Sequence, residues 1–388
     1  LSDNPEKVTL PGVKDLYRVY DGQGMAFADL ITLSDEVIDE GMAVLMRAPR
    51  SYTREDVAEI HLHGGEYVTG ALLSALWALG AVPAQPGEFT KRAFLNGRVD
   101  LSRAEAVMQL IEASGEQAAR AAVRDLQGGT SAFIRGAQQE LTDILSGVAA
   151  ALDYPEEIDE AEALLGLLPR TRALAGRLAA ACDERAARIL EQGYEVAIVG
   201  RPNVGKSSLL NTLLGEERAI VTDEAGTTRD IVRGTASLGG VRVNFSDTAG
   251  IRESGHKVEQ IGIRLAREAM QRADLVLVVL DQGEPLGAED AEILVLAQTQ
   301  PHLVVLNKSD LPPRADLPQG LLISSRTGEG IDRLKQAIAQ RAGTVGEGEL
   351  SLLRHMQLAR RASDALSEAA DAMERHEPLD LAAVHLHE

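Results

Sequence analysis

Eight consecutive residues, Gly200-Arg201-Pro202-Asn203-Val204-Gly205-Lys206-Ser207, follow the pattern G-x-x-x-x-G-K-[ST]. Each fixed residue has a task at a polyphosphate. The glycines let backbone N–H groups converge on phosphate oxygens. The lysine ammonium reaches the β- and γ-phosphates, and the serine hydroxyl ligates Mg²⁺. The apolar run 195–199 before the loop reads as a strand, and Lys206–Leu214 reads as a helix whose N-terminus favours anions. From residue frequencies a chance match in a chain this long is roughly a 1% event. Asn203, Val204, Gly205, Lys206, Ser207 and Ser208 are therefore the residues expected around the phosphates, with Ser207 on the Mg²⁺.

Two later segments restrict the nucleotide. Asp247-Thr248-Ala249-Gly250 follows the apolar run 241–245. Asp247 is placed to hold the Mg²⁺ shell through water, and the Gly250 N–H to sense the γ-phosphate. Asn307-Lys308-Ser309-Asp310 follows the run 303–306. A carboxylate at Asp310 can accept from both N1–H and the exocyclic amine of guanine. Adenine would leave it unpaired, an expensive mismatch that disfavours an ATPase reading. Lys308 is expected to lay its stem along the base, and Ser324, Ser325 and Arg326 to give backbone contacts to the base carbonyl.

Between these lies Thr222, Asp223, Glu224, Ala225, Gly226, Thr227 and Thr228. In a switch protein such a segment carries a threonine that meets Mg²⁺ and the γ-phosphate, and Thr228 is the residue expected to do so. Many GTPases place a water-orienting glutamine directly after the Asp-x-x-Gly segment; here that position is Ile251. The attacking water must then be positioned from elsewhere, with Glu259 as the candidate. A metal cation could neutralise charge in place of an arginine finger, and the Asn203 carbonyl oxygen and the backbone carbonyls of 222–227 suit one. Arg229 and Arg252 are alternative fingers, more simply read as solvated.

These residues need a framework. The chain has 388 residues, a length suited to two or three domains, with 45% apolar but only 3% aromatic residues. Such cores are Ala, Leu, Val and Ile, which favours helices and α/β layers. A net charge of −20 argues against a broad nucleic-acid-binding face. The single cysteine, Cys182, sits in an alanine-rich helical stretch, reads as a packed helix residue and excludes a disulfide framework. No apolar run is long enough to span a membrane, and the N-terminus lacks a signal-peptide pattern, so the cytoplasm is the expected location.

Residues 1–90 mix strands (41–47, 57–63) with a helix (67–80). Helical spacing dominates 103–126, 132–152 and 162–192, and resumes over 350–377. From 194 to 342, β-branched runs alternate with helices, the mark of a mostly parallel sheet covered on both faces. The expected fold is multidomain α/β: an α+β N-terminal domain (1–90), a discontinuous α-helical domain (91–192 and 343–388), and a P-loop G domain (193–342) inserted into it. His61 and His63 would share one face of a strand, but with no third ligand nearby a metal role is disfavoured. His385, His387 and the acidic run Glu156, Glu157, Asp159 and Glu160 read as solvated.

The ordered set Gly-Arg-Pro-Asn-Val-Gly-Lys-Ser-Ser, Ala-Gly-Thr-Thr-Arg-Asp, Asp-Thr-Ala-Gly and Asn-Lys-Ser-Asp resembles the TrmE–Era-like GTPases. The flanking segments 51–65, 86–101, 110–114 and 116–120 are similar to the MnmE (TrmE) family of tRNA-modification GTPases. The resemblance spans almost the whole chain. It implies an N-terminal domain that binds a tetrahydrofolate derivative (5-formyl- or methylene-tetrahydrofolate) and forms a homodimer. It implies a flavin-dependent partner of MnmG type, carrying the FAD, in a heterotetramer. The complex would add a carboxymethylaminomethyl-type group to C5 of the wobble uridine of tRNA. Potassium would be held by Asn203, Thr222, Glu224 and Thr227, and Mg²⁺ by Ser207 and Thr228. Glu259 matches the family's water-positioning glutamate, and Glu59 and Arg98 its folate contacts.

The family's first strand, with its folate-contacting arginine, and its closing Cys-x-Gly-Lys motif are not in this sequence, and trimming or disorder at both ends is the expectation. The rival reading is a regulatory or ribosome-assembly GTPase acting by binding alone. An RNA-binding KH-type domain after the G domain would favour it, but 343–388 reads only as helix.

Overall fold

The computed structural model describes residues 25–31, 37–215, 232–247, 267–313, 317–343, 345 and 348–387. It divides into two compact units, 1–107 and 108–388.

In the first unit, β1 (Met25–Ile31), β2 (Val37–Met46) and β3 (Val57–His61) form an antiparallel sheet in that order. Val44 faces Glu59 across the β2–β3 ladder, and Met46 faces Val57. Helix α1 (Glu66–Ala78) follows, then α2 (Glu88–Leu95) and α3 (Leu101–Glu112), which runs into the second unit. Strand β3 ends at His61, so His63 lies beyond it and does not share a strand face with His61. Its ring instead bonds Asp39, whose carboxyl is held below its ordinary pKa chiefly by that hydrogen bond.

The second unit joins a helical bundle to a doubly wound sheet. Helices α4 (Glu116–Leu126), α5 (Gly129–Asp153), α6 (Glu160–Ala180) and α7 (Glu184–Gln192) precede the sheet, and α11 (Leu353–Glu374) and α12 (Leu379–His387) follow it. Ile144 and Val148 of α5, Leu167 and Leu174 of α6, Leu366 and Met373 of α11 and Leu386 of α12 share one core. The segments before and after the sheet thus pack together, as an insertion requires.

Two stretches read from sequence as continuous helix are broken. Between α3 and α4 the chain turns at Gly115, where a Cβ would stand 2.8 Å from the Gly240 carbonyl oxygen, so only glycine admits this approach. Between α6 and α7, Asp183 accepts from the Ala186 N–H and caps a new helix.

The sheet order is β5-β6-β4-β7-β8-β9, with β4 (Tyr194–Val199), β5 (Val232–Leu238), β6 (Val241–Asp247), β7 (Leu275–Asp281), β8 (His302–Asn307) and β9 (Leu321–Leu322). All neighbours are parallel except β5, an antiparallel edge strand that sequence reading missed. Every residue of the central strand β7 is buried, with Leu275, Leu277 and Val279 on one face and Val276, Val278 and Leu280 on the other. Helices α8 (Lys206–Leu214) and α10 (Ile331–Ala342) cover the first face, and α9 (Ala288–Ala297) the second. Strand β4 has β6 on one side and β7 on the other, so the loop after it opens at a topological switch point, where such sheets bind ligands.

Candidate nucleotide site

The loop Gly200–Gly205 leaves the buried end of β4 and enters α8. Asn203 has φ 66° and Gly205 φ 96°, so the chain passes twice through the left-handed region before the helix begins. Asparagine tolerates that region better than most side chains. Gly205 is fixed by space as well: a Cβ there would lie 2.4 Å from Asn307 Nδ2. A bare backbone loop opening onto a helix N-terminus fits a phosphate, since anions meet N–H groups there without side chains in the way. Lys206 is buried, and its ammonium donates to the Gly200 and Arg201 carbonyl oxygens at 2.7 and 2.8 Å, curled over the loop it serves. Ser207 and Ser208 are exposed in the first turn of α8. Arg201 turns away from the loop to Asp290, 3.3 Å off and almost wholly buried, which also accepts from the Gly287 N–H.

At the end of β8, Asn307 is 2% exposed and makes three bonds. Its Nδ2 donates to the Val204 carbonyl at 2.8 Å, and its Oδ1 accepts from the Ser325 N–H and hydroxyl at 3.0 and 2.9 Å. The Thr212 hydroxyl of α8 donates to the Ser325 carbonyl at 3.1 Å. The phosphate loop, its helix and the segment 324–326 are thereby tied into one piece. Lys308, with φ 66°, donates to Asp281 Oδ2 at 2.6 Å, which fixes the ammonium. Asp310 accepts from the buried Ser324 hydroxyl at 2.7 Å. That bond, with Arg326 3.8 Å away adding less, holds its carboxyl below the ordinary pKa and keeps it an ionised acceptor.

The structure therefore brings together Asn203, Val204, Gly205, Lys206, Ser207, Asn307, Lys308, Asp310, Ser324, Ser325 and Arg326. Asp247 ends β6 beside Ile198 of β4 in register, on the same rim. Thr222, Asp223, Glu224, Ala225, Gly226, Thr227, Thr228, Thr248, Ala249, Gly250 and Glu259, with Arg229 and Arg252, lie outside the described residues. Of the residues expected to hold Mg²⁺ and K⁺, only Ser207 and Asn203 are described. Sequence reading missed Asp281, the anchor of Lys308. Its signal was a lone carboxylate closing the otherwise apolar strand Leu-Val-Leu-Val-Val-Leu-Asp.

In the first unit, Arg98 lines a cleft of about 490 Å³ with Arg50 and Arg54. Glu59 is not part of its lining; it sits exposed on β3 with His61 3.7 Å away. Alternation along the ladder nevertheless puts Glu59 on the sheet face of Met46, which does line the cleft. Among the described residues no cluster of three His, Cys, Asp or Glu side chains is arranged as a metal site. No helix among them is long and apolar enough to cross a membrane.

Residues 195–308 match a family model described as 50S ribosome-binding GTPase, and residues 11–98 one described as GTP-binding protein TrmE N-terminus. The tRNA modification GTPase MnmE of Streptococcus thermophilus (strain CNRZ 1066) is 42% identical over 95% of this chain and 85% of its own length. That of Lactococcus lactis subsp. cremoris (strain MG1363) is 42% identical over 94% and 84%. The solved structure of Aquifex aeolicus Era is 28% identical and aligns with 44% of this chain and 66% of its own at a TM-score of 0.30, too partial a superposition to bear on the argument. With two relatives at this identity over nearly all of this chain and more than four fifths of their own lengths, and with both the N-terminal and the G-domain models matched in order, the chain belongs to the MnmE family of tRNA modification GTPases.

Proposed function

We propose that this GTPase hydrolyses GTP in a potassium-dependent way. With a flavin-dependent partner it takes part in adding a carboxymethylaminomethyl-type group to C5 of the wobble uridine of tRNA, and a tetrahydrofolate derivative donates the one-carbon unit. The observation that carries the nucleotide half is the Asn307 clamp. Because one buried side chain bonds both Val204 and Ser325, the group that would read the base and the loop that would hold the phosphates keep a fixed separation. Asp310, ionised and oriented by Ser324, is the acceptor for guanine. In this reading Mg²⁺ is held by Ser207 and Thr228, and K⁺ by Asn203, Thr222, Glu224 and Thr227. Glu259 positions the water that Ile251 cannot.

The tRNA half rests on family membership, and the match of residues 11–98 to the TrmE N-terminus supports it over a ribosome-assembly role. We further assign folate to Glu59 and Arg98, dimerisation to the N-terminal domain, and the domain limits 1–90, 91–192 with 343–388, and 193–342. The test is twofold. GTP turnover is expected to rise severalfold when potassium replaces sodium at equal ionic strength, and equal rates would remove the potassium assignment. Purified chain, a flavin-dependent partner, folate donor and GTP are expected to yield a modified wobble nucleoside by mass spectrometry of digested tRNA. Its absence with active partner would remove the tRNA assignment.

A further inference from the structure

The loop between β2 and β3, helix α2 and the turn after it carry five arginines, Arg47, Arg50, Arg54, Arg92 and Arg98. The carboxylates close to them are Glu55, Asp56 and Glu88, and each is already engaged. Asp56 takes Arg47 at 2.7 Å and the Ala48 N–H at 2.8 Å. Glu88 takes Arg92 at 2.9 Å, and Glu55 takes the same guanidinium at 3.3 Å. The three arginines left over, Arg50, Arg54 and Arg98, all line the one cleft of about 490 Å³. Among the described residues no carboxylate pairs with any of them. Arg54 is held in place by its own bond to the Asn96 carbonyl at 3.2 Å. Its backbone is in the left-handed region, φ 59°, which a non-glycine residue occupies only under constraint. That constraint is visible: Ser51 and Thr53 are buried, Ser51 bonds the Glu55 carbonyl, and Asn96 donates to the Thr53 carbonyl at 2.8 Å. The loop is built to present its arginines.

We propose that this cleft binds the poly-γ-glutamyl tail of the folate donor, Arg50 and Arg54 pairing with successive tail carboxylates beyond Arg98. The proposal rests on the folate reading above and extends it from the ring system to the form of the substrate. The volume lies in the range of small-molecule sites, about 300–1,000 Å³, and a guanidinium matches a carboxylate in two parallel hydrogen bonds. Tyr52, whose hydroxyl is tied to Thr90, flanks the arginines and gives the methylene groups of a tail an apolar wall. An RNA backbone suits the place less well. It would spread phosphates over Glu55, Asp56 and Glu88 beside the cleft, on a chain of net charge −20.

Titration calorimetry on the chain compares 5-formyltetrahydrofolate as the monoglutamate and as the triglutamate. Two exposed ion pairs added to one ligand are expected to make the triglutamate bind about tenfold tighter. In Arg50→Gln Arg54→Gln the two ligands are expected to bind alike. In Arg47→Gln, which removes a paired arginine outside the cleft, the tenfold difference stays. On the wild-type chain alone the difference shrinks as salt rises, which needs no variant to fold. A wild type that binds the monoglutamate but shows no preference overturns the tail site and leaves the folate reading standing. No binding of either form overturns both. If the double variant keeps its preference and instead loses affinity for tRNA, the cleft takes phosphate and the proposal is wrong.

Discussion

Asn307, at the end of β8, donates its side-chain amide to the carbonyl oxygen of Val204, 2.8 Å away in the phosphate loop and 103 residues earlier in the chain. The same side chain accepts from the Ser325 amide and hydroxyl. Replacing it by alanine leaves a buried carbonyl and a part-buried N–H without this partner, and each such orphan costs up to about 1–3 kcal/mol. Asn307→Ala is therefore expected to lower the unfolding free energy of the G domain by about 2–4 kcal/mol in urea titration. GDP affinity should fall at least about tenfold, because loop and base reader no longer share an anchor. Wild-type nucleotide affinity in this variant would show that the two halves are held together by something else.

Asp310 is the residue that should distinguish bases. Asp310→Asn exchanges one acceptor for a donor, which complements the extra carbonyl of xanthine and opposes the exocyclic amine of guanine. GTP affinity should drop about a hundredfold and XTP affinity should rise. The Ser324 bond lowers the Asp310 carboxyl below its ordinary value of 3.8. The stability it contributes is present above the unfolded value and is lost as pH falls through the lowered folded value. Guanine preference should accordingly stay flat from about pH 5 to pH 8. A preference that titrates within that range would mean another group reads the base.

The G domain was legible in its order of motifs because each motif is local: glycines, a lysine and a serine in one loop, and a carboxylate at a fixed offset from a strand. Strand β5 was legible too, through Gly239-Gly240, whose φ values of 60° and 79° make the hairpin turn that a Gly-Gly pair signals. That run is nevertheless assigned no element from its sequence alone. What could not be read were pairings set by distance across the fold. Nothing in the sequence says that Asp281 fixes Lys308, or that Asp56 and Glu88 take Arg47 and Arg92 and so leave Arg50 and Arg98 to a cleft. The break after α6 was half legible: Asp183 followed by Glu184 is a helix-start signal inside an apparently continuous helix, and the alanine-rich periodicity around it outvoted the cap.

Cys182, at that break, bonds the Leu178 and Met356 carbonyls at 3.1 and 3.3 Å. Burial pushes its thiol above the ordinary value of 9.0, and nearby Glu184 and Asp364 act in the same direction against Arg360. The thiolate is the reactive form. At pH 8 the native chain should therefore react with a thiol reagent at least about tenfold more slowly than the urea-unfolded chain. The raised folded value means the stability contribution is present below pH 9.0 and declines as pH rises through the folded value. Equal native and unfolded rates would mean that the α6–α7 break opens freely.

Among the described residues, the joint between the helical domain and the sheet is fastened by a bidentate ion pair. Arg188 of α7 meets Asp274, just before β7, through both guanidinium Nη atoms, and Asp274 Oδ2 also accepts from the Glu195 N–H at 3.0 Å. The aspartate is 13% exposed and the arginine 34%, so the pair is partly desolvated. The bidentate bond raises the Arg188 pKa, the direction expected of a guanidinium that favours its charged form here. Removing the arginine strands a nearly buried carboxylate and should cost about 1–3 kcal/mol, less than a fully buried pair because about a third of the arginine side chain is in water. A double-mutant cycle with Arg188→Ala and Asp274→Ala should return a coupling of about 1–2 kcal/mol. Because the pair spans α7 and the sheet, the single variants should also make the segment around Gly193, where α7 passes into β4, exchange its amide hydrogens faster. Zero coupling with unchanged exchange would move the fastening role to the Gln117 contacts with the Gly239-Gly240 turn, where Gln117 donates to the Gly239 carbonyl at 2.8 Å and accepts from the Val345 N–H at 2.7 Å.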